Sequence, residues 1–421
     1  MTAGPPPDQQ LPTIRLRSPK RFLHPWIFQR LVEKPVQKVP NGSLVKVVDP
    51  DGQPIGRGFY NWHSRISLRM LSHEPNQIVD ADFLRMRITR AVELRRDILG
   101  LEEHSNAWRV IHSEADSLSG LVVDRFDDLV VVEFFAFGMY RLRDFILECL
   151  KEHFPNCRFY WFAEEHVQKQ ESFDCRPPEV PAPAIIREHG LKFRVQPGSK
   201  HKTGFFLDQR DNRRRLARLC KGKRVLDICC NSGGFAVYAA ALGEAEQVVG
   251  LDLDEGVLEL ARQNAGINQV RCKWIQADLF PWLRDSIAAK NQFDVVILDP
   301  AKQTRDRDEV DLALRRYFDM NRLAFQVVKE GGVLVSCSCT GLVSEPEFLE
   351  CLRRAARAAG RTVQVMAVHG AAPDHPFQLQ VPEGRYLKTV FLRILEAGQP
   401  MAPIGQSFAY PNPVGHKEDQ S

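Results

Sequence analysis

Residues 224–235 read RVLDICCNSGGF: an apolar run, an aspartate at its end, then small residues and a glycine pair. The next residues, GFAVYAAALG (234–243), continue as an apolar helical pattern. The same strand-then-helix alternation repeats four more times. Strand-like runs QVVGLDL (247–253), CKWIQAD (272–278), FDVVILD (293–299) and GGVLVSCS (331–338) are separated by helical stretches such as EGVLELARQNAGIN (255–268) and VDLALRRYFDMNRLAFQVVK (310–329). Apolar runs separated by helices predict an α/β domain with a parallel, doubly wound sheet. The runs TVQVMAVHG (362–370) and YLKTVFLRIL (386–395) read as a closing antiparallel pair joined by a short loop.

Upstream the pattern differs. Residues 13–71 alternate short β-like runs with turn signals, as in LVKVVD and IGRGFY around PDGQP, with RISLRML following, and predict a small β-domain. DADFLRMRITRAVELRRDILG (80–100) starts at an aspartate of the capping type and predicts a connecting helix. WRVIH, LSGLVVDRF, DLVVVEFFAF and CRFYWFA predict strands, and MYRLRDFILECLKEHF (139–154) an amphipathic helix, together a β-rich middle α+β domain. The proline-rich CRPPEVPAPA (175–184) reads as a linker. The expected division is a β-domain over 1–78, a middle domain over 79–189, the α/β domain over 190–397 and a loose tail over 398–421.

With 421 residues, two or three domains are expected. An apolar share of 44% and a charged share of 26% describe an ordinary globular chain. The first residues carry no apolar core of a signal peptide, and no run of about 18 apolar residues predicts a membrane span. The expected compartment is the cytoplasm, so the ten cysteines are expected to be reduced. None forms a C-x-x-C pair or a zinc spacing, and no metal site is expected. Net charge is only +4, but residues 192–224 hold twelve Lys or Arg against Asp208 and Asp211. Such a run is either a solvated helix face or the footprint of a phosphate backbone.

In open α/β sheets ligands bind beyond the carboxyl ends of the strands. Those ends carry Asp227, Asp252, Asp278 and Asp299, with Ser232, Gly233 and Gly234 in the first turn and Cys337 and Cys339 after the fifth strand. An acid after the second strand suits a ribose, because a carboxylate can accept from both hydroxyls of a vicinal diol. A nicotinamide dinucleotide would call for G-x-G-x-x-G to seat its pyrophosphate, and NSGGF lacks it. S-adenosylmethionine has no phosphate, needs only the close approach and the ribose acid, and is the cofactor expected.

HKTGFFLDQRDNR (201–213), SGGF, LDPAK, SCTGL and PDHPFQLQVPEGRYLK (373–388) resemble the signature of the bacterial RlmI-type methyltransferases, which methylate carbon 5 of a cytosine in 23S ribosomal RNA. RFLHPWIFQ resembles the start of that family's RNA-binding PUA β-barrel, and GLVVDRF its middle domain. The resemblance implies a Rossmann-like class I methyltransferase domain, S-adenosylmethionine as cofactor, and large-subunit ribosomal RNA as partner, with the protein a monomer or homodimer. It implies a cofactor and base site formed by Gln209, Arg210, Asp227, Cys229, Asn231, Ser232, Gly233, Asp252, Leu253, Asp278 and Asp299. Where the family reads D-P-P-K-F, this chain has Ala301 and Gln303 in place of the second proline and the aromatic. The family's S-C-S-G element also has one cysteine where this chain has two.

Cytosine carbon 5 becomes nucleophilic when a thiolate adds to carbon 6. The cysteines after the fifth strand fit that need, with Asp299 on the cytosine edge. Aligning on the Gly–Leu that follows puts Cys339 at the family's nucleophile, whereas aligning on S-C-S would choose Cys337; the reading adopted is Cys339. Cys229 and Cys230 are read as packing residues with main-chain contacts to the cofactor. The basic 192–224 run and the β-domain are then expected to hold RNA. Two other readings stand: an exocyclic-amine RNA methyltransferase, and a non-catalytic RNA-binding or ribosome-assembly factor that keeps the fold.

Overall fold

In the computed structural model, which describes residues 4–18, 23–198 and 204–398, the acid-bearing strand ends belong to one seven-stranded sheet. Its strands are β1 (Arg224–Ile228), β2 (Gln247–Asp252), β3 (Lys273–Gln276), β4 (Phe293–Leu298), β5 (Val328–Ser338), β6 (Arg361–His369) and β7 (Lys388–Ala397). Their spatial order is 3-2-1-4-5-7-6. The first five run parallel, and β7 enters antiparallel between β5 and β6. The order reverses between β1 and β4, so the crevice of a doubly wound sheet opens beyond those two strands. His201, Lys202 and Thr203 of the basic motif, Arg21 and Phe22 of the N-terminal motif, and the tail 399–421 lie outside the described residues.

The helices are α1 (Arg210–Ala217), α2 (Gly234–Ala241), α3 (Glu255–Ile267), α4 (Leu279–Ala288), α5 (Val310–Val327) and α6 (Glu345–Ala358). The central strands are apolar on both faces because both faces are covered: Val225, Leu226, Val295, Val296, Ile297 and Leu298 are all buried. Polar caps set several helix starts. The Asp254 side chain accepts the Gly256 N–H at 2.8 Å, and Ser344 with Glu347 forms a reciprocal capping box at the start of α6.

The N-terminal region forms a five-stranded sheet between Thr13 and Ser72, and the middle region a four-stranded sheet between Ala107 and Phe162. One apolar cluster runs from Leu44, Phe59 and Leu71 of the first sheet through Phe83 and Ile88 to Trp108 and Phe134 of the second. The connecting helix Ala81–Glu93 starts where expected, with the Asp80 carboxylate accepting the Phe83 N–H at 2.9 Å. It widens into a π-type turn over Leu94–Ile98, which carries the fully buried Arg95. From there Arg95 reaches the Asp116 carboxylate and the Asp374 carbonyl.

Three local expectations are corrected. The helix expected over 139–154 is two, Phe137–Arg141 and Arg143–His153; it begins early enough for Phe137 to stack on Phe173. A division at 189/190 falls in the turn of a β-hairpin, Ala184–Glu188 against Leu191–Val195, whose His189 and Gly190 both take the left-handed backbone of a two-residue turn. The link between β6 and β7 is not short. It spans residues 370–387, because it carries buried charged groups that tie the α/β domain to the middle region.

Candidate active site

Asp227, the last but one residue of β1, is buried; its Oδ2 accepts the Ala236 N–H at 3.0 Å, while among the described residues the buried Oδ1 has no hydrogen-bond partner. Burial, reinforced by the neighbouring Asp299 charge, pushes this carboxyl well above the usual carboxylate range. The turn that follows is tightly wound: Cys229, Asn231 and Gly233 have φ of +60°, +49° and +80°. Asn231 is suited to that backbone, and its Oδ1 accepts the Ser232 N–H at 2.7 Å. Cys230 is buried and Cys229 partly so, and burial raises both thiols.

Gly233 is a glycine for a reason other than ligand approach alone. A Cβ there would stand 2.7 Å from the Trp274 ring, and one on Gly250 2.4 Å from the same ring. Trp274 of β3 therefore packs directly beneath the turn, a role its place in CKWIQAD did not suggest.

Asp252 ends β2. One of its oxygens accepts the Asn231 N–H at 2.9 Å and the other the Asp254 N–H at 3.1 Å. Each carboxylate oxygen has a second acceptor position, so the group is held in place and still able to accept two hydroxyls. Leu253 beside it is 68% exposed, an apolar side chain left open at the sheet edge. Asp278 does what aspartates before helices commonly do: it is exposed, and its side chain accepts the Phe280 N–H at 2.7 Å as the cap of α4.

Asp299 lies past β4, and its Oδ2 accepts from Gln209 Nε2 at 3.1 Å. Gln209 is buried, and its Oε1 accepts from Asn212 at 2.8 Å; Asn212 also donates to the Gly370 carbonyl at 3.0 Å. Arg210, expected in the same cluster, turns away. Its guanidinium is fully buried against the Asp374 carboxylate, at 3.1 and 2.9 Å. Arg213 of the basic run is likewise withdrawn, bound to Glu188 at 2.7 Å, so it presents no charge to RNA. Arg214, Arg215 and Arg218 are the exposed arginines of that helix and its end.

The two cysteines part company. Cys337 is the last but one residue of β5, paired with Thr389 of β7, and fully buried among Val225, Ile297, Val335 and Phe391. Its thiol points at the Thr389 hydroxyl, 3.6 Å away, and burial raises it well above an ordinary thiol. Cys339 lies one residue past the strand, half-buried, with Sγ 4.0 Å from the Pro300 carbonyl in the loop that carries Asp299.

Lys388 was missed in the sequence. Buried at the start of β7, it donates to the carbonyls of Thr340 and Val343 at 2.7 Å and of Tyr386 at 2.9 Å, pinning the loop that follows Cys339. Burial lowers its pKa to about 8. Thr340, whose hydroxyl meets the Tyr317 hydroxyl at 2.8 Å, also accepts the Gln303 N–H at 3.1 Å and so joins this loop to the Ala301–Gln303 segment.

The strand ends thus converge on an acid-lined crevice with a wound small-residue turn, an oriented acid after β2 and a half-exposed thiol after β5. Residues 176–379 match the family model of S-adenosylmethionine-dependent methyltransferases, and residues 20–73 that of a PUA-like domain. The ribosomal RNA large subunit methyltransferase I of Aeromonas hydrophila is 37% identical over 379 residues, covering 88% of this chain and 95% of the relative. The chain belongs to this methyltransferase family. The Escherichia coli relative of the same name is 35% identical over 380 residues, covering 88% of this chain and 96% of its own length. Two solved structures share the fold. A candidate methyltransferase crystallised with SAH superposes with a TM-score of 0.77 at 18% identity, over 91% of this chain and 99% of the other. An S-adenosylmethionine-dependent enzyme described from Streptococcus mutans gives 0.75 at 18% identity, over 91% and 100%.

The cofactor of this family is S-adenosylmethionine, and the residues here fit it. Asp252 is held by two main-chain N–H groups with acceptor positions to spare for a diol. Among the described residues the buried Oδ1 of Asp227 has no hydrogen-bond partner, which leaves it able to bond a bound molecule. Among the described residues no helix is long and apolar enough to cross a membrane.

Proposed function

We propose that this protein transfers a methyl group to carbon 5 of a cytosine in large-subunit ribosomal RNA, of the 23S class, through a covalent adduct on Cys339. The observation that carries the reading is the contrast between the two cysteines: Cys337 is sealed in the sheet, whereas Cys339 stands half-exposed beside the Asp299 loop. The relatives named above are ribosomal RNA large subunit methyltransferases, which supports the same class of substrate.

Asp252 and Leu253 would hold the ribose and flank the adenine, the 229–233 turn would follow the cofactor's length, and Asp227 would meet its polar end. The bound cofactor supplies an electrophilic methyl group. The Cys339 thiolate would form a bond to carbon 6 of the base, which moves electron density to carbon 5. Asp299, braced by Gln209, would accept from the cytosine edge and favour a protonated ring nitrogen, making carbon 6 more electrophilic. Once carbon 5 carries the methyl group, loss of its proton to a base lets the Sγ–C6 bond break and restores the ring. A stacked base cannot reach Cys339, so the nucleotide must be flipped out or unpaired.

Bisulfite sequencing of 23S ribosomal RNA from cells with and without the gene tests this reading. It predicts one cytosine that is protected only when the gene is present. An RNA that gains methyl groups on an amine instead, with no protected cytosine, would support the exocyclic-amine reading.

A further inference from the structure

Away from the strand ends, a cleft of about 400 Å³ lies between the 99–104 segment of the middle region, the His189–Gly190 turn and the outer face of α1. Arg214, Arg215 and Arg218 form one wall, and buried Arg210 closes the floor with its charge already taken by Asp374. Asp211, in the lining, stands 3.4 Å from Arg210 Nε. No carboxylate lies within ion-pair distance of Arg214, Arg215 or Arg218 among the described residues.

Part of this wall has an ordinary explanation. Arg214 and Arg215 occupy the last turn of α1, where cations complement the helix dipole. The dipole also favours Arg218, the C-cap residue, but it does not account for Arg218 standing four residues after Arg214, a spacing at which like charges repel. Nor does it account for a concave wall, where low-dielectric sides concentrate the field of three guanidinium groups. Opposite them, the rings of His104 and His189 lie parallel, 5.0 Å apart with an interplanar angle of 6°. His189 holds a left-handed turn position where Asn, Asp or Gly is usual, and its Nδ1 is 2.9 Å from the Tyr238 hydroxyl. Burial and the nearby Arg214 lower its pKa to about 4, so it offers a flat neutral ring beside the charges.

Guanidinium groups without counter-ions, facing a flat aromatic surface, are what a single-stranded nucleic acid requires: charge for the backbone and a plane for a base. We propose that this cleft binds the backbone of single-stranded RNA, Arg214, Arg215 and Arg218 taking phosphates close to the nucleotide being methylated. The proposal rests on the RNA-methyltransferase reading and adds the path of the strand. Gln209, the residue before α1, bonds to Asp299, and at about 1.5 Å per residue Arg214 to Arg218 stand about 7.5 to 13.5 Å from it along the helix axis.

The test is fluorescence anisotropy of a short unstructured RNA with the full chain and saturating S-adenosylmethionine, across a salt series. The variants are R214Q/R218Q, R214K/R218K and, as a control for removing a surface charge elsewhere, R353Q. With about 0.7 counterions released per phosphate on a single strand, losing two contacts should flatten the slope of log affinity against log salt by about 1.4. Between 50 and 200 mM salt the wild type should therefore lose about sevenfold more affinity than R214Q/R218Q. R214K/R218K should keep the wild-type slope, and all variants should keep cofactor affinity, a sign of an intact fold. If the wild type binds RNA with a clear salt slope and R214Q/R218Q matches R353Q, the cleft assignment is wrong and the RNA reading survives. If the wild type shows no salt-dependent RNA binding, both fall.

Discussion

Replacing Asp374 by alanine should unfold this protein far more easily, although the residue is none of those placed in the cofactor crevice. Its carboxylate is fully buried and accepts from Arg210 at 2.9 and 3.1 Å and from the Arg109 N–H at 2.9 Å, while its carbonyl accepts from Arg95 at 2.9 Å. These bonds join the 370–387 loop, α1 and the middle region at one point. The neighbouring His375 and Arg210 charges hold the carboxyl well below the usual carboxylate range. A depressed pKa contributes stability that is complete above the unfolded value near 3.9 and is lost only as pH falls through the folded one. The stabilisation from the ionised Asp374 carboxylate should accordingly be present throughout about pH 5–8, and D374A should be costly across that whole range. Removing one partner of a buried pair costs about 3–5 kcal/mol, because the remaining charge is stranded in a dry site. At a urea dependence of about 3 kcal/mol/M, the midpoint should fall by roughly 1–1.7 M. Urea unfolding followed by far-UV circular dichroism measures this. The double variant R210M/D374L should recover most of the loss, since a buried apolar pair needs no counter-charge. A midpoint for D374A within about 0.3 M of wild type, or a double variant no better than the single, would refute the reasoning.

Asp252→Ala should weaken S-adenosylmethionine binding at least tenfold by calorimetry, since each charge-assisted hydrogen bond is worth about 1.5–3 kcal/mol; unchanged affinity would remove Asp252 from the site. Lys388, with its pKa lowered to about 8, favours the neutral amine in the folded state. On this group the unfolded chain then binds more protons between about pH 8 and 10.5, so the stability of the wild type relative to Lys388→Met should rise across that window by up to about 3 kcal/mol. A difference between the two proteins that is flat or falling there would contradict the burial argument.

The parallel sheet was legible because buried strands must be continuously apolar and each ends in a polar residue where it meets the crevice, as at Asp227, Asp252 and Asp299. The wound turn after β1 was legible through its small residues, although Gly233 answers to Trp274 as well as to any ligand. Buried charge was not legible. Arg210, Arg213, Asp374 and Lys388 look like surface residues in a linear reading, and their partners lie far along the chain, as with Arg109 and Asp374, 265 residues apart. For the same reason the basic run overstated its exposed charge, since Arg213 is spent on Glu188. Two cysteines one residue apart share a strand face, so periodicity could not separate them. The end of β5 at Ser338 does, leaving Cys337 inside the pairing and Cys339 beyond it.

The nucleophile is the central claim, and an RNA carrying 5-azacytosine at the target position tests it most directly. Nitrogen at position 5 has no proton to lose, so the adduct formed by Cys339 cannot resolve and should appear as a protein–RNA band stable to denaturing electrophoresis. Cys339→Ala should lose both the band and turnover. Cys337→Ala should keep them, at a cost of about 1 kcal/mol in stability for a small buried side chain. An adduct that survives in Cys339→Ala and vanishes in Cys337→Ala, or methylated RNA from both variants, would contradict the account.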